Sequence, residues 1–199
     1  ETIIIDGGSN DSTIERIKQF KERHPDLNIQ LHILPGTIGK CKNFGIKKAT
    51  TENILSTDAG CILDKGFIKK FLTYLEKYDV IGGAHIYVPG NSFQRTFSAF
   101  YSIDWDNVKT LYTFSNRCLA FKKRAWQKIG GYNEQIKRSE DTLICHKWKK
   151  TRVRMHLAKD VKADYYSNRG LLAECRLAFS DVIRDCKLGL TKGVSGYRK

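Results

Sequence analysis

No apolar run in the sequence approaches the roughly 20 residues that a bilayer-spanning helix needs; the longest, such as Ile3–Ile5, suit a strand. These residues are therefore not expected to cross a membrane. A charged-then-apolar leader with a small-residue cleavage site is missing as well. The chain opens at Glu1 without a methionine, from which we expect a trimmed or incomplete N-terminus. The six cysteines (Cys41, Cys61, Cys118, Cys145, Cys175 and Cys186) never form a C-x-x-C pair, which speaks against a zinc knuckle. They are too sparse for a disulfide scaffold, so reduced and buried thiols are expected; one or two intracellular disulfides would suit only a chain from a hyperthermophile. Several chemical signatures are absent: G-x-x-x-x-G-K-[ST], G-x-G-x-x-G after a strand, G-x-S-x-G and H-E-x-x-H. P-loop kinases, Rossmann dehydrogenases, esterases and zincins thus find little support. Neither an internal repeat nor a linker divides the chain.

Positive charge, by contrast, is plentiful. Thirty-five Lys and Arg stand against 21 Asp and Glu, a formal net charge of +14. Such an excess attracts nucleic acid, anionic lipid or phosphorylated substrates, or is simply a solvated lysine surface. With 199 residues, 28% charged and 41% hydrophobic, the chain is sized for one globular domain and is neither fibrous nor disordered.

Thr2–Ile5 is a short β-branched run stopped by Asp6-Gly7-Gly8-Ser9, the pattern of a buried parallel strand and a tight turn. Ser12-Thr13-Ile14-Glu15 has the form of a capping box opening a helix whose face is Ile14, Ile17 and Phe20 and which Pro25 ends. Ile29–Leu34 alternates as a strand, residues 36–49 form a basic loop running into a helix, and Asn53–Thr57 is a third strand ending at Asp58-Ala59-Gly60. A helix over Lys65–Tyr78 and a strand over Val80–Val88 come next. Then follow an aromatic stretch from Phe93 to Trp105, a strand at Arg117–Lys122, a short helix to Ile129, and a helix over Ser139–Lys150 capped by Ser139. A strand pair (Val153–Leu157 and Val161–Tyr165), a helix over Leu171–Leu188 and a basic tail over 189–199 complete the chain. The alternation predicts an α/β fold with a mostly parallel sheet, in which ligands bind beyond the carboxyl ends of strands. Asp6-Gly7-Gly8-Ser9 and Asp58-Ala59-Gly60 stand at such ends.

Each candidate has two readings. Asp58 can hold Mg²⁺ or Mn²⁺ and through it a diphosphate, or can bond its own turn. Asp6 invites the same pair, with Gly7-Gly8 permitting positive φ. Glu140-Asp141 can supply a general base, or can merely complement a helix dipole. Lys40, Lys42, Lys47 and Lys48 can meet phosphates or be solvated.

Taken in order, several segments resemble the family-2 glycosyltransferases of GT-A fold. Residues 3–13 (IIIDGGSNDST) resemble their nucleotide-binding turn IIVVDDGSTDGT, and residues 39–49 resemble GxAxARNxGIxxA, with Lys42 where arginine is usual. Residues 53–64 (NILSTDAGCILD) resemble the strand leading into the D-x-D segment. Residues 117–132 followed by Ser139-Glu140-Asp141 resemble AFRRxxWxxxGGY…EDxxL, the acceptor-side catalytic segment.

The resemblance implies a single GT-A domain over 1–188, with a nucleotide part near 1–88 and an acceptor part near 89–188. It implies inverting hexosyl transfer from a nucleotide-diphospho-sugar donor to the hydroxyl of a protein, glycan or lipid-linked acceptor, in the cytoplasm or at the cytoplasmic face of a membrane. Asp6, Gly8, Ser9, Lys42, Asn43 and Asp58 would bind the nucleotide, Asp58 a divalent metal (Mn²⁺ or Mg²⁺), and Trp105 and Arg117 the acceptor, while Asp141 with its neighbour Glu140 would be the base. Three departures accompany it. Gly60 replaces the second acid of D-x-D, leaving Asp64 as a substitute. The expected metal-ligating histidine is replaced by the stretch around Asp164. The family's first strand is not among these residues, which predicts a gap beside Thr2–Ile5. The alternative to an enzyme is a GT-A-like polyanion binder. Nucleic acid is the less favoured partner, and peripheral contact with an anionic membrane through Lys192, Arg198 and Lys199 is compatible with either.

Overall fold

The computed structural model describes residues 1–101, 105, 107, 113–167, 170, 172, 173, 176, 177, 179, 180, 183 and 187, with the side chains of 97 and 99–101 excepted. Along the chain run β1 (Thr2–Asp6), α1 (Thr13–Arg23), β2 (Ile29–Ile33), α2 (Ile38–Lys48), β3 (Asn53–Ser56), β4 (Cys61–Leu63) and α3 (Phe67–Lys77). There follow β5 (Val80–Val88), α4 (Ser92–Tyr101), a 3-10 turn (Asn116–Cys118), β6 (Leu119–Lys122), α5 (Lys123–Lys128), α6 (Glu140–Lys149) and β7 (Met155–Tyr166). The described residues between Leu172 and Lys187 are helical, in keeping with the expected helix there. The tail 189–199, and with it Lys192, Arg198 and Lys199, lies outside the described residues.

The fold is α/β with a mixed sheet flanked by helices, as expected, though antiparallel pairings outnumber parallel ones in the main sheet. β1 and β2 pair in parallel, and a second sheet has the order β3-β6-β5-β7-β4. Only β5 and β7 are parallel there; β3 with β6, β5 with β6, and β4 with β7 are antiparallel. Alternation of apolar residues marks a strand but not its direction, which long-range partners decide. The expected strand pair near the end is one strand, β7. Its register against β5 slips between Gly83 and Ala84, so that Ala158 and Lys162 face consecutive residues. The bulge between them is held from α3, where Lys70 Nζ donates to Asp160 O at 2.6 Å and Tyr74 Oη to Asp160 Oδ1 at 2.8 Å.

Two helix starts differ in detail from expectation. Ser12 makes no side-chain cap; Asp11 Oδ1 accepts from Thr13 N at 3.0 Å instead. Ser139 sits in the left-handed region at φ 63° and likewise does not cap α6 through its side chain.

Both faces of the main sheet are covered. Phe67, Phe71 and Leu75 of α3 pack on Ile81, Ala120, Val161 and Ala163, and Ile144, Cys145 and Trp148 of α6 pack with Leu119 and Phe121 on the other side. Burying each such large side chain contributes about 1.5–3 kcal/mol. These helices fix the ends of β3, β5, β6 and β7, where the candidate site lies.

The predicted gap is present. Among the described residues β1 makes no pairing with β3, and a cavity of about 700 Å³ runs between them, lined by Thr2, Ile3 and Ile5 on one side and Ile54, Leu55 and Ser56 on the other. Gly7, Lys42 and Asp58 also line it.

Candidate active site

The first strand end is a self-contained turn. Asp6 is buried, and its Oδ1 accepts from Gly8 N (2.8 Å) and Ser9 N (2.6 Å) while Oδ2 accepts from Ser9 Oγ (2.7 Å). Gly8 takes φ 100°, which favours glycine. The Ser9 bonds hold the Asp6 carboxyl below its usual range. Asp6, Gly8 and Ser9, expected to bind nucleotide, thus spend most of their polar groups on one another. They shape the rim of the cavity; Gly7 is the residue of the turn that lines it.

The second strand end is where charge collects. Lys42, on the face of α2 turned toward β3, reaches Asp58 Oδ1 at 2.8 Å and Ser56 Oγ at 3.2 Å. The ammonium side chain is 14% exposed and the carboxylate 37%. Gly60 stands at φ 82°, and a Cβ there would meet Tyr166 O at 2.9 Å, because Tyr166 N is bonded to Gly60 O at 2.8 Å. A second acid at position 60 is therefore excluded by the backbone of β7. Asp64, the suggested substitute, is paired with Lys70 at 3.3 Å. Asp164 is one residue from Tyr165 on β7 and so projects from the opposite face of the strand. No group of three His, Cys, Asp or Glu side chains able to hold a metal occurs among the described residues.

Opposite, the start of α6 carries the acids. Glu140 is buried and accepts from Asn116 Nδ2 at 3.1 Å; Asn116 Oδ1 in turn accepts from Tyr132 Oη at 2.6 Å. Asp141 is half-buried. Burial first, then the adjacent Glu140 charge, push its carboxyl up to about 6, with Asp58 adding and Arg117 opposing. Asp141, Asp58 and Arg117 thus share one electrostatic neighbourhood.

Arg117 lies over the Tyr165 ring, its guanidinium carbon 4.0 Å from the centroid, and its Nε is buried without a partner. Its backbone oxygen accepts from Thr57 Oγ1 at 3.0 Å, tying it to the end of β3. Trp105 is half-buried, packs edge-on against the His85 ring at 5.7 Å and donates its indole N–H to His85 O at 3.2 Å. Its neighbours Asp104 and Asp106 lie outside the described residues. His85 itself escaped the sequence reading. Its Nδ1 is buried and unpartnered, and burial followed by the Arg117 charge lowers its pKa to about 4, so it is neutral. The available signal was a polar residue inside the apolar run Val80–Val88.

Asn43 corrects an expectation. It is buried; Nδ2 donates to Tyr132 O (2.9 Å) and Glu134 Oε1 (2.8 Å), and Oδ1 accepts from Trp126 Nε1 (3.0 Å) and Tyr132 N (2.9 Å). With its amide fully engaged, Asn43 fastens α2 to the segment before α6 and has nothing left for a nucleotide.

The described Cys41, Cys61, Cys118 and Cys145 are free thiols, the last two buried, and no helix among the described residues is long and apolar enough to cross a membrane.

Comparison with known proteins identifies the family and the fold. The family model described as glycosyl transferase family 2 matches residues 1–155. Poly-beta-1,6-N-acetyl-D-glucosamine synthase of Staphylococcus epidermidis is 38% identical over 64 residues, 32% of this chain and 15% of that protein. Among solved structures, the S. aureus protein TarS (residues 1–349) with UDP-GlcNAc matches with a TM-score of 0.66 and 21% identity, over 86% of this chain and 50% of that one. The mannosyltransferase PcManGT of Pyrobaculum calidifontis with GDP-Man and Mn²⁺ gives 0.69 and 20%, over 93% and 55%. The chain thus spans about half the length of these solved chains.

Proposed function

The chain belongs to glycosyl transferase family 2, and from that premise we propose that it transfers a sugar from a nucleotide-diphospho-sugar to an acceptor hydroxyl with inversion at the anomeric carbon. The observation that carries the reading is Asp141 at the start of α6, whose carboxyl is raised to about 6 and feels the charges of Asp58 and Arg117, with Asp58 in turn paired to Lys42.

A base that ionises near pH 6 is largely a carboxylate at pH 7 yet more basic than an ordinary one. Asp141 removes the proton of the acceptor hydroxyl as its oxygen attacks the anomeric carbon. The bond from that carbon to the diphosphate breaks on the opposite side, and its electron pair leaves with the diphosphate. Glu140 is held next to Asp141 by Asn116, and its charge raises the basicity of the Asp141 carboxyl. The nucleotide sits along the mouth of the cavity near Gly7, Lys42 and Asp58, and the acceptor on the side of Trp105. A divalent cation at the diphosphate, as the Mn²⁺ of PcManGT would suggest, finds here one carboxylate, Asp58, already bonded to Lys42. The described side chains do not build such a site, and no step above runs through one.

A nucleotide-sugar donor and the free thiols support a cytoplasmic reaction. The acceptor is a hydroxyl of a glycan, protein or lipid-linked group.

The reading is tested by incubating the purified chain with UDP- and GDP-sugars and measuring release of the free nucleoside diphosphate. Release with one donor class, abolished in Asp141→Asn, is the expected result. Release that persists in that variant removes Asp141 from the role of base.

A further inference from the structure

Lys42 Nζ occupies the position where a cation would meet Asp58. It stands 2.8 Å from Oδ1, is held by Ser56 Oγ at 3.2 Å, and is much the more buried of the two partners. A divalent ion binding Asp58 would have to leave this ammonium without its counter-charge in a half-buried place, which is unfavourable. Among the described residues, the acids suggested to complete such a site do not add ligands. Position 60 admits no side chain without displacing the Tyr166 carbonyl, Asp64 is paired with Lys70, and Asp164 projects from the other face of β7. Meanwhile a second cation is ready. Arg117 makes no ion pair among the described residues, is placed over the Tyr165 ring, has its Nε buried and unpartnered, and its charge, like that of Asp58, is felt at Asp141.

We propose that Lys42 and Arg117 take the place of the divalent cation, so that this chain binds its donor and discharges the diphosphate without added metal. The inference rests on the transferase reading above and deepens it. The balance of the step is unchanged: the acceptor oxygen forms the new bond to the anomeric carbon and its proton passes to Asp141. The electron pair of the broken bond goes to the terminal phosphate oxygen, where the ammonium and guanidinium receive the charge. Arginine suits this role because its planar fork offers several donors to phosphate oxygens, and lysine because its compact charge can swing from Asp58 to the phosphate.

The test titrates UDP and GDP into the wild-type chain and into Lys42→Gln and Lys42→Arg, each in excess EDTA and again in Mn²⁺, by calorimetry, with a melting curve as the folding control. Wild type is expected to bind one nucleotide with dissociation constants in EDTA and in Mn²⁺ that agree within about threefold. Lys42→Arg should stay within about tenfold of wild type. Lys42→Gln should bind more than tenfold more weakly in EDTA and recover part of that loss in Mn²⁺, because Asp58 is then free. Binding by wild type only in Mn²⁺ overturns the inference and leaves the transferase reading standing. Binding of neither nucleotide in either buffer by a folded wild type overturns both.

Discussion

Trp126 donates its indole N–H to Asn43 Oδ1 at 3.0 Å across 83 residues of sequence. The same oxygen accepts from Tyr132 N, and the amide nitrogen returns a bond to Tyr132 O. One side chain thus fastens α2, which carries Lys42, to the loop that leads into α6, which carries Asp141. Asn43→Ala would leave the Trp126 and Tyr132 donors buried and unpaired, at about 1–3 kcal/mol each. We expect a loss of about 3 kcal/mol and a melting temperature lower by roughly 6–12 °C. A variant with unchanged melting temperature but weakened nucleotide binding would instead make Asn43 a ligand contact.

Gly60 is fixed by geometry on two counts, φ 82° and the 2.9 Å approach that a Cβ would make to Tyr166 O. Gly60→Ala should cost about 1–3 kcal/mol, read as a shift of the denaturant midpoint at unchanged slope. A neutral substitution would show that β7 yields at this point.

The strand ends that matter were legible in the sequence: β1 stops at Asp6 and β3 just before Asp58, each where β-branched residues give way to Gly-containing turns. Family resemblance located Asp141 and Lys42, and the gap beside β1 followed from it. Roles that depend on distant partners were not legible. Asn43 reads as a polar residue on a basic helix until Trp126 and Tyr132 are brought to it. The antiparallel pairing of β3 with β6 joins residues some 60 to 70 positions apart, and no local pattern reveals its direction. His85 hides because a lone histidine in a strand looks the same whether or not its ring is satisfied.

Among the described residues Trp105 meets the site at His85, by one hydrogen bond and one edge-on ring contact. If it faces the acceptor, Trp105→Ala should raise the KM for acceptor severalfold while the dissociation constant for the nucleotide stays within about twofold. Equal weakening of both would mean that the ring supports the fold of the site rather than the acceptor.

Asp141 also makes stability depend on pH. Its folded pKa of about 6 lies above the ordinary 3.8, so between roughly pH 4 and 6 the folded chain holds the proton that the unfolded chain releases. Stability contributed by this group therefore falls as pH rises through that window and is level above it. Asp141→Asn removes the dependence. Its melting temperature should match wild type near pH 4 and exceed it near pH 7, by the equivalent of about 1–2 kcal/mol once partial exposure is allowed for. A gain that is larger at pH 4 would contradict the raised pKa.

The most direct measurement compares wild type and Asp141→Asn in two assays on the same samples, nucleotide binding by calorimetry and release of nucleoside diphosphate from the donor that binds. The account predicts binding within about threefold of wild type and release slower by at least about 100-fold, the scale of a lost general base. Wild-type release should also rise with pH through about 6, the value to which Asp141 is raised. Undiminished release by the asparagine variant would contradict the assignment of Asp141 as base, and with it the central claim.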